Sequence, residues 1–264
     1  MVSYGIGMQR AREKSGSADD GLAVAPAAGY AVFLDIDGTL LELAPTPDAV
    51  EVPPELITLL RELSNRVQGA IAFVSGRPIQ GIDALFQPLI LPAVGVHGTE
   101  MRFGDGQLLI DRRLSTRLQE MVPTLQQAIA PLPGVQLENK GSAVALHYRS
   151  APERGRELLR AAEVVVAHLG AEFGVLMGKC VVEIRPRHAT KGAAIERLMQ
   201  EIPFRGRMPI FAGDDVTDED GFKVVNRMGG VSVHIGDSPT TNAQYRLANP
   251  ETLWGWLRQI GAGP

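Results

Sequence analysis

A single cysteine, Cys180, stands among the 264 residues. One thiol makes no internal bridge and no zinc site by itself, which excludes disulfide scaffolds and zinc modules and leads us to expect a reducing, cytoplasmic setting. A basic tract is also missing. The 26 Lys and Arg against 30 Asp and Glu leave a formal charge of −4, which argues against general nucleic-acid binding. No apolar run approaches the roughly 18 residues of a membrane span. The first thirty residues hold no apolar core, so no secretion signal is read there. Repeats and low-complexity segments are absent too. What is present is an ordinary globular composition, 45% hydrophobic and 21% charged. A chain of this length buries roughly 70–75% of its unfolded surface and folds without staples. At about 150 residues per domain it makes one large domain or two modest ones.

Residues 1–28 mix small residues with opposing charges and are expected to form a flexible tail, with one helical turn over 8–14. The pattern then changes. Residues 31–36 are an apolar, β-branched run ending in Asp-Gly-Thr, as a buried parallel strand would. A helix follows over 53–67, with leucines at helical spacing behind a proline start. Strands are expected at 70–74, 92–96, 208–212 and, as the last, 231–235. Helices are expected at 191–201 and from Asn249 to Ile260. Strands alternating with helices predict a three-layer, Rossmann-like α/β core with a mostly parallel sheet. Residues 102–184 read differently: a hairpin turn at 103–107, helices at 114–129 and 153–169, and strand pairs over 135–148 and 175–184. The expected organisation is therefore a tail at 1–28, a core of 29–101 and 185–264, and an inserted α+β domain at 102–184.

In an open parallel sheet, ligands sit beyond the carboxyl ends of the strands. The polar residues at those ends are Asp35, Asp37, Ser75, His97, Asp214 and Asp215. Residues 214–220 carry five carboxylates in seven positions, beside Asp35 and Asp37 if the strands are neighbours. Carboxylates so crowded need a cation, and hard oxygen ligands without a His or Cys cluster favour Mg²⁺. The alternative is an acidic helix start capped by Asp215. Asp35 and Asp37 are two apart, so an extended segment points both to one side, where one serves as nucleophile and the other as acid and base.

These residues carry a resemblance. Asp35-Ile-Asp37-Gly38-Thr39, Ser75, Lys191 and Gly213-Asp214-Asp215 are similar to the four motifs of the haloacid dehalogenase-like (HAD) phosphatases, in the family's order. Ser75-Gly-Arg-Pro78, Gly95-Val-His-Gly98 with Glu100, the segment 143–149, Gly178-Lys179 and Glu183-Ile-Arg-Pro186 resemble trehalose-6-phosphate phosphatases. The likeness covers roughly residues 30–260 and implies an HAD-like core with an α+β cap. It further implies that Asp35 becomes an aspartyl phosphate, that Asp37 protonates the leaving oxygen and activates water, that Ser75 binds a phosphoryl oxygen and that Lys191 offsets charge. By the same resemblance Mg²⁺ is held by Asp35, the Asp37 carbonyl and Asp214, with Asp215 or Asp218. Substrate contacts fall to Gly76, Arg77, His97 and Glu100 in the core, and to Lys140, His147, Arg149, Lys179 and Glu183 in the insert. Arg77 suits phosphate binding or capping of the following helix, and Cys180 is read as a buried strand cysteine. The substrate implied is a small sugar phosphate, with neither nucleic acid nor membrane as partner. The oligomeric state is open, with a monomer compatible. Phosphatases of other sugar phosphates, a phosphomutase, and a non-catalytic subunit of a trehalose-synthesising assembly are the alternatives.

Overall fold

The computed structural model describes residues 9–10, 27–43, 50–178 and 180–261. Its first half runs β1 (Gln9–Arg10), β2 (Tyr30–Leu34), α1 (Pro54–Arg66), β3 (Ile71–Val74), α2 (Ile79–Phe86), β4 (Ala93–Gly95), β5 (Glu100–Arg102) and β6 (Leu108–Ile110). The insert then supplies α3 (Arg112–Ile129), β7 (Gln136–Asn139), β8 (Val144–His147), α4 (Gly155–Leu169), β9 (Phe173–Gly178) and β10 (Val181–Pro186). The chain returns through α5 (Lys191–Leu198), β11 (Met208–Gly213), α6 (Glu219–Arg227), β12 (Val231–Ile235), β13 (Tyr245–Leu247) and α7 (Pro250–Gln259).

Two sheets result. The larger has the order β1-β13-β12-β11-β2-β3-β4-β5-β6, and its strands from β13 to β4 pair in parallel. The smaller, β7-β8-β10-β9, is antiparallel throughout. Each has its own buried apolar cluster. Strand β2 is central and every one of its residues is buried, which is why its sequence is continuously apolar rather than alternating. Helix α1 starts at a proline, where the missing amide costs nothing, and buries Leu56, Leu59, Leu60 and Leu63 on one face. In the insert, α3 and α4 bury Leu114, Leu118, Leu158 and Val165 with Leu146, Val182 and Ile184 of the small sheet.

Several expectations need correction. The hairpin β5–β6 pairs onto β4 and extends the large sheet through Ile110, past the boundary expected after 101. A turn fixes which strands pair, not which sheet they join. Strand β13 follows the strand read as last, and it pairs with β12 in parallel. Gln9–Arg10 are a strand against Tyr245 and Arg246 rather than part of a helical turn, and the rest of 8–14 lies outside the described residues. Cys180 sits half-buried in the β9–β10 turn with φ 60°, not in a strand. No helix among the described residues is long and apolar enough to cross a membrane.

Candidate active site

Strand register brings the polar chain ends together. Leu34 pairs with Ala212, and the Asp35 amide continues the ladder to the Ala212 carbonyl at 3.0 Å, so Asp35 and Asp214 leave neighbouring strands side by side. Ser75 ends β3 next door, its amide on the Val94 carbonyl at 2.9 Å, and His97 follows β4. Four adjacent strands thus present Asp214, Asp35, Ser75 and His97 along one edge.

Lys191 opens α5, whose N-cap Thr190 accepts from the Ala193 amide. Its side chain is buried, and Nζ donates to Asp35 Oδ1 at 2.8 Å and Asp218 Oδ1 at 2.6 Å. Burial alone would lower the Lys191 pKa, but Asp218 and Asp35 outweigh it and hold the ammonium charged well above its ordinary value. Asp218 is fully buried, and its Oδ2 accepts the amides of Asp214 and Asp215 at 3.1 and 3.0 Å. Gly213 permits this approach, since a Cβ there would stand 2.4 Å from Asp218 Cγ. Gly38, at φ +83°, does the same for Asp214, whose Oδ2 would lie 2.1 Å from such a Cβ. Thr39 Oγ1 lies 3.2 Å from both Asp35 Oδ2 and Asp214 Oδ1, donating its one proton between them.

One carboxylate oxygen from each of Asp35, Asp214 and Asp218 lies within 4.8 Å of the others. Three carboxyl groups thus crowd around the single ammonium of Lys191. The strain shows in the acids. Burial, then Asp35 and Asp218, push the Asp214 carboxyl up to about 9 against the pull of Lys191. Asp218 is raised to about 6, by burial first and by Asp35, with Lys191 opposing. Of the two acids proposed as a further metal ligand, Asp218 is the one in this group. Asp215 is exposed and caps the short turn Val216–Asp218.

Asp37 and Arg77 depart from the expected arrangement. Asp37 is not in the carboxylate group, because Arg77 holds it bidentately, Nε to Oδ2 at 2.7 Å and Nη2 to Oδ1 at 2.6 Å. The guanidinium expected on phosphate or on a helix therefore grips the second aspartate, while the Arg77 amide donates to Ser75 Oγ at 3.1 Å. Gly76 leaves room for the His97 ring, whose Nε2 would be 2.6 Å from a Cβ there. Glu100 turns to the start of α2, accepting from the Ile79 amide at 2.8 Å, so it is a helix cap in this structure.

A second group of charges lies on the insert. Glu183 of β10 is buried, with Oε2 3.4 Å from His97 Nε2 and 3.6 Å from Lys140 Nζ. Burial would raise its pKa, but His97 and Lys140 overcome that and hold it down at about 2. The same burial lowers the His97 pKa, with Glu183 opposing. The imidazole therefore strengthens the pair only once it is protonated, and at neutral pH Lys140 is the steady counter-charge. Among the described residues, Glu183 Oε1 and His97 Nδ1 are buried without a partner. His147 binds Glu138 at 2.8 Å, and Lys140 lies 3.9 Å from that same carboxylate. Glu138 was missed in the sequence, where its only signal is alternation with Lys140, one position past the end of β7. Arg149 is exposed and makes no hydrogen bond or ion pair among the described residues. Lys179 lies outside the described residues.

A profile of the trehalose-phosphatase family matches residues 33–251. The chain is 45% identical over 233 residues to the trehalose-6-phosphate phosphatase of Escherichia coli (strain K12), covering 88% of this chain and 87% of that one. It is similar to the same extent, 45% over 233 residues with 88% and 87% covered, to a probable trehalose-phosphate phosphatase of Sinorhizobium fredii (strain NBRC 101917 / NGR234). Among solved structures it resembles a trehalose-6-phosphate phosphatase related protein, with TM-score 0.74 and 26% identity over 87% of this chain and 96% of that chain.

Proposed function

Since the chain belongs to the trehalose-phosphatase family, a family of phosphoric monoester hydrolases, we propose that it hydrolyses trehalose 6-phosphate to trehalose and inorganic phosphate. The observation that carries this reading is the buried Asp35 carboxylate, paired with Lys191 and crowded by Asp214 and Asp218 at the strand ends. Such a group suits phosphoryl transfer, which asks for a positioned nucleophile and compensated negative charge more than for covalent machinery.

The donor set fits a hard divalent cation such as Mg²⁺. Three carboxylates within 4.8 Å offer only oxygen, and Asp214 at about 9 marks a place short of positive charge. Asp35 and Asp214 would hold the cation, with the Asp37 carbonyl and Asp218 completing the protein's share. When bound, it would draw charge from the phosphoryl oxygens.

In this reading an Asp35 oxygen attacks phosphorus and the bond to the sugar oxygen breaks, giving an aspartyl phosphate. Asp37, carrying a proton on an oxygen that one Arg77 bond gives up, passes it to the leaving oxygen, and then takes one from the water that hydrolyses the acyl phosphate. Arg77 aims the Asp37 carboxylate between these steps. Ser75 is left with its hydroxyl proton to give to a phosphoryl oxygen, since Oγ accepts from the Arg77 amide. Lys191 holds the Asp35 carboxylate at 2.8 Å and offsets the charge that collects beside it. Glu183, Lys140 and His97, with Lys179, would meet the sugar hydroxyls, for which the unpaired Glu183 Oε1 is a ready acceptor. The insert is then a cap over the cleft, and the setting cytoplasmic. The test is phosphate release from a panel of sugar phosphates, with Mg²⁺ and with a chelator. Trehalose 6-phosphate should lead the panel in Mg²⁺ alone, and a better rate on another ester would replace it as substrate.

A further inference from the structure

Between β4 and β5 the backbone takes a conformation that ordinary residues avoid. Val96, His97 and Gly98 have φ of 45°, 56° and 117° in succession. For a β-branched residue a positive φ is a true outlier, and such strain persists only where the surroundings over-determine it. Here they do. The Val96 amide donates to the Arg77 carbonyl and the His97 amide to the Ser75 carbonyl, both at 3.0 Å. On its other side the turn lies against Thr190, the residue before Lys191, whose carbonyl would be 2.9 Å from a Cβ on Gly98.

The same turn reaches the insert. His97 lies against Glu183, and Thr99, held by its amide to the Val96 carbonyl at 3.3 Å, meets Ser142 with Oγ1 and Oγ 2.5 Å apart. Both hydroxyl residues are buried. Their bond borders a cavity of about 390 Å³ that also takes in Leu109, Asp111, Pro186 and Thr190, where the chain enters and leaves the insert. None of Asp35, Asp37, Ser75 or Lys191 lines that cavity.

We propose that the strained turn Val96–Gly98, clasped to the insert through Thr99 and Ser142, couples the insert's position to the Ser75–Arg77 loop and so to the aim of Asp37. A strained segment anchored on three sides has few ways to relax, so a shift of Ser142 is passed to the carbonyls of Ser75 and Arg77 rather than absorbed. Thr99 and Ser142 act here as positioning residues, through the turn rather than on the reacting atoms. The activity arm of the test rests on the phosphatase reading above; the exchange arm does not.

The test uses Thr99→Val, Ser142→Ala and the double variant of the whole chain. Losing one neutral hydrogen bond corresponds to about a five- to tenfold change in the clasped population. Amide hydrogen exchange at Val96 and His97 should rise by that factor in Ser142→Ala, at least as much in Thr99→Val, whose Oγ1 also donates to the Val96 carbonyl at 3.2 Å, and in the double no further than in Thr99→Val. The amides of β8 and β10 should keep their wild-type rates. The rate on the preferred sugar phosphate, divided by that on p-nitrophenyl phosphate, should fall by a similar factor, because a small aryl ester does not need the insert. Thr99→Ser, which keeps the hydroxyl, should restore both readouts, and it also covers the case in which valine disturbs folding. Unchanged exchange at Val96 and His97 in Ser142→Ala would overturn the clasp, as would multiplicative effects in the double variant. Faster exchange with an unchanged substrate ratio would overturn the coupling. If the wild-type protein ignores trehalose 6-phosphate, the phosphatase reading of that substrate fails, while exchange still decides for or against the clasp.

Discussion

At the ends of β2 and β11, Lys191 is bound to Asp35 and Asp218 at 2.8 and 2.6 Å, whereas on β10 the contacts of Glu183 with His97 and Lys140 stretch to 3.4 and 3.6 Å. In the core group each oxygen of Asp35 and Asp218 has a protein donor, and two glycines stand where any side chain would collide. On the insert, Glu183 keeps one oxygen buried and unpaired among the described residues. An unpaired buried acceptor costs about 1–3 kcal/mol, so it is tolerated where something outside the chain supplies the partner. The difference teaches that chemistry and recognition are built oppositely here. On the proposed reading, the reacting group is fixed in advance by the fold, and the group that would face the sugar is left incomplete.

The hardest blow to that division is struck at the nucleophile. If Asp35 is the nucleophile, Asp35→Asn should lower phosphate release from every ester by about 10⁴-fold or more. Sugar and aryl phosphates should fall together. A variant that keeps a tenth of the wild-type rate would remove Asp35 from the role.

Glu183→Ala probes the other side. Charged-group hydrogen bonds contribute about 1.5–3 kcal/mol, so kcat/KM on the sugar ester should drop roughly 10- to 150-fold. Hydrolysis of p-nitrophenyl phosphate should stay near wild type. Equal losses on both substrates would move Glu183 into the reacting group and erase the comparison.

These contrasts were only partly legible in the sequence. Asp35, Ser75, Lys191 and Asp214 each end a strand or open a helix, so the polar ends of a parallel sheet could be read before any coordinates. Their convergence followed from strand type alone. Contacts made across the sheet were not legible. The grip of Arg77 on Asp37 spans 40 positions and leaves no local trace, and the same holds for Glu100 capping α2. Strand β13 has only three residues, too short to show a period. The hairpin β5–β6 announced itself through its turn, but turn chemistry is silent about which sheet receives the pair. Glu138 carried no motif, and only the small sheet reveals that it meets His147.

The crowding at Asp214 makes a prediction that needs no substrate. A cation that binds only the folded chain stabilises it by about 2.7 kcal/mol at 100 times its Kd. At roughly 2–4 °C per kcal/mol for a chain of this size, saturating Mg²⁺ should raise Tm by about 5–10 °C over chelator. Asp214→Ala should shrink the rise. Superimposable melting curves in wild type would remove the cation from this group.

The smallest effect concerns the acid limb of stability, where the insert's charge group should betray itself. Glu183 is held down at about 2, by His97 and Lys140 against the cost of burial, while the unfolded chain titrates near 4.5. A carboxyl depressed on folding contributes stability that is fully present above its unfolded pKa and lost as pH falls through the folded one. The window is thus about pH 4.5 down to pH 2. By pH 3 roughly 1.5 of the 2.5 pK units are spent, about 2 kcal/mol. Glu183→Gln keeps the shape and removes the titration. Its stability, followed by urea unfolding between pH 6 and pH 3, should therefore fall less steeply than that of wild type by about 2 kcal/mol. Parallel curves would mean that Glu183 binds its proton equally in both states. The long contacts on β10 would then hold no more charge than an exposed pair, and the insert would be incomplete in its electrostatics as well as in its hydrogen bonds.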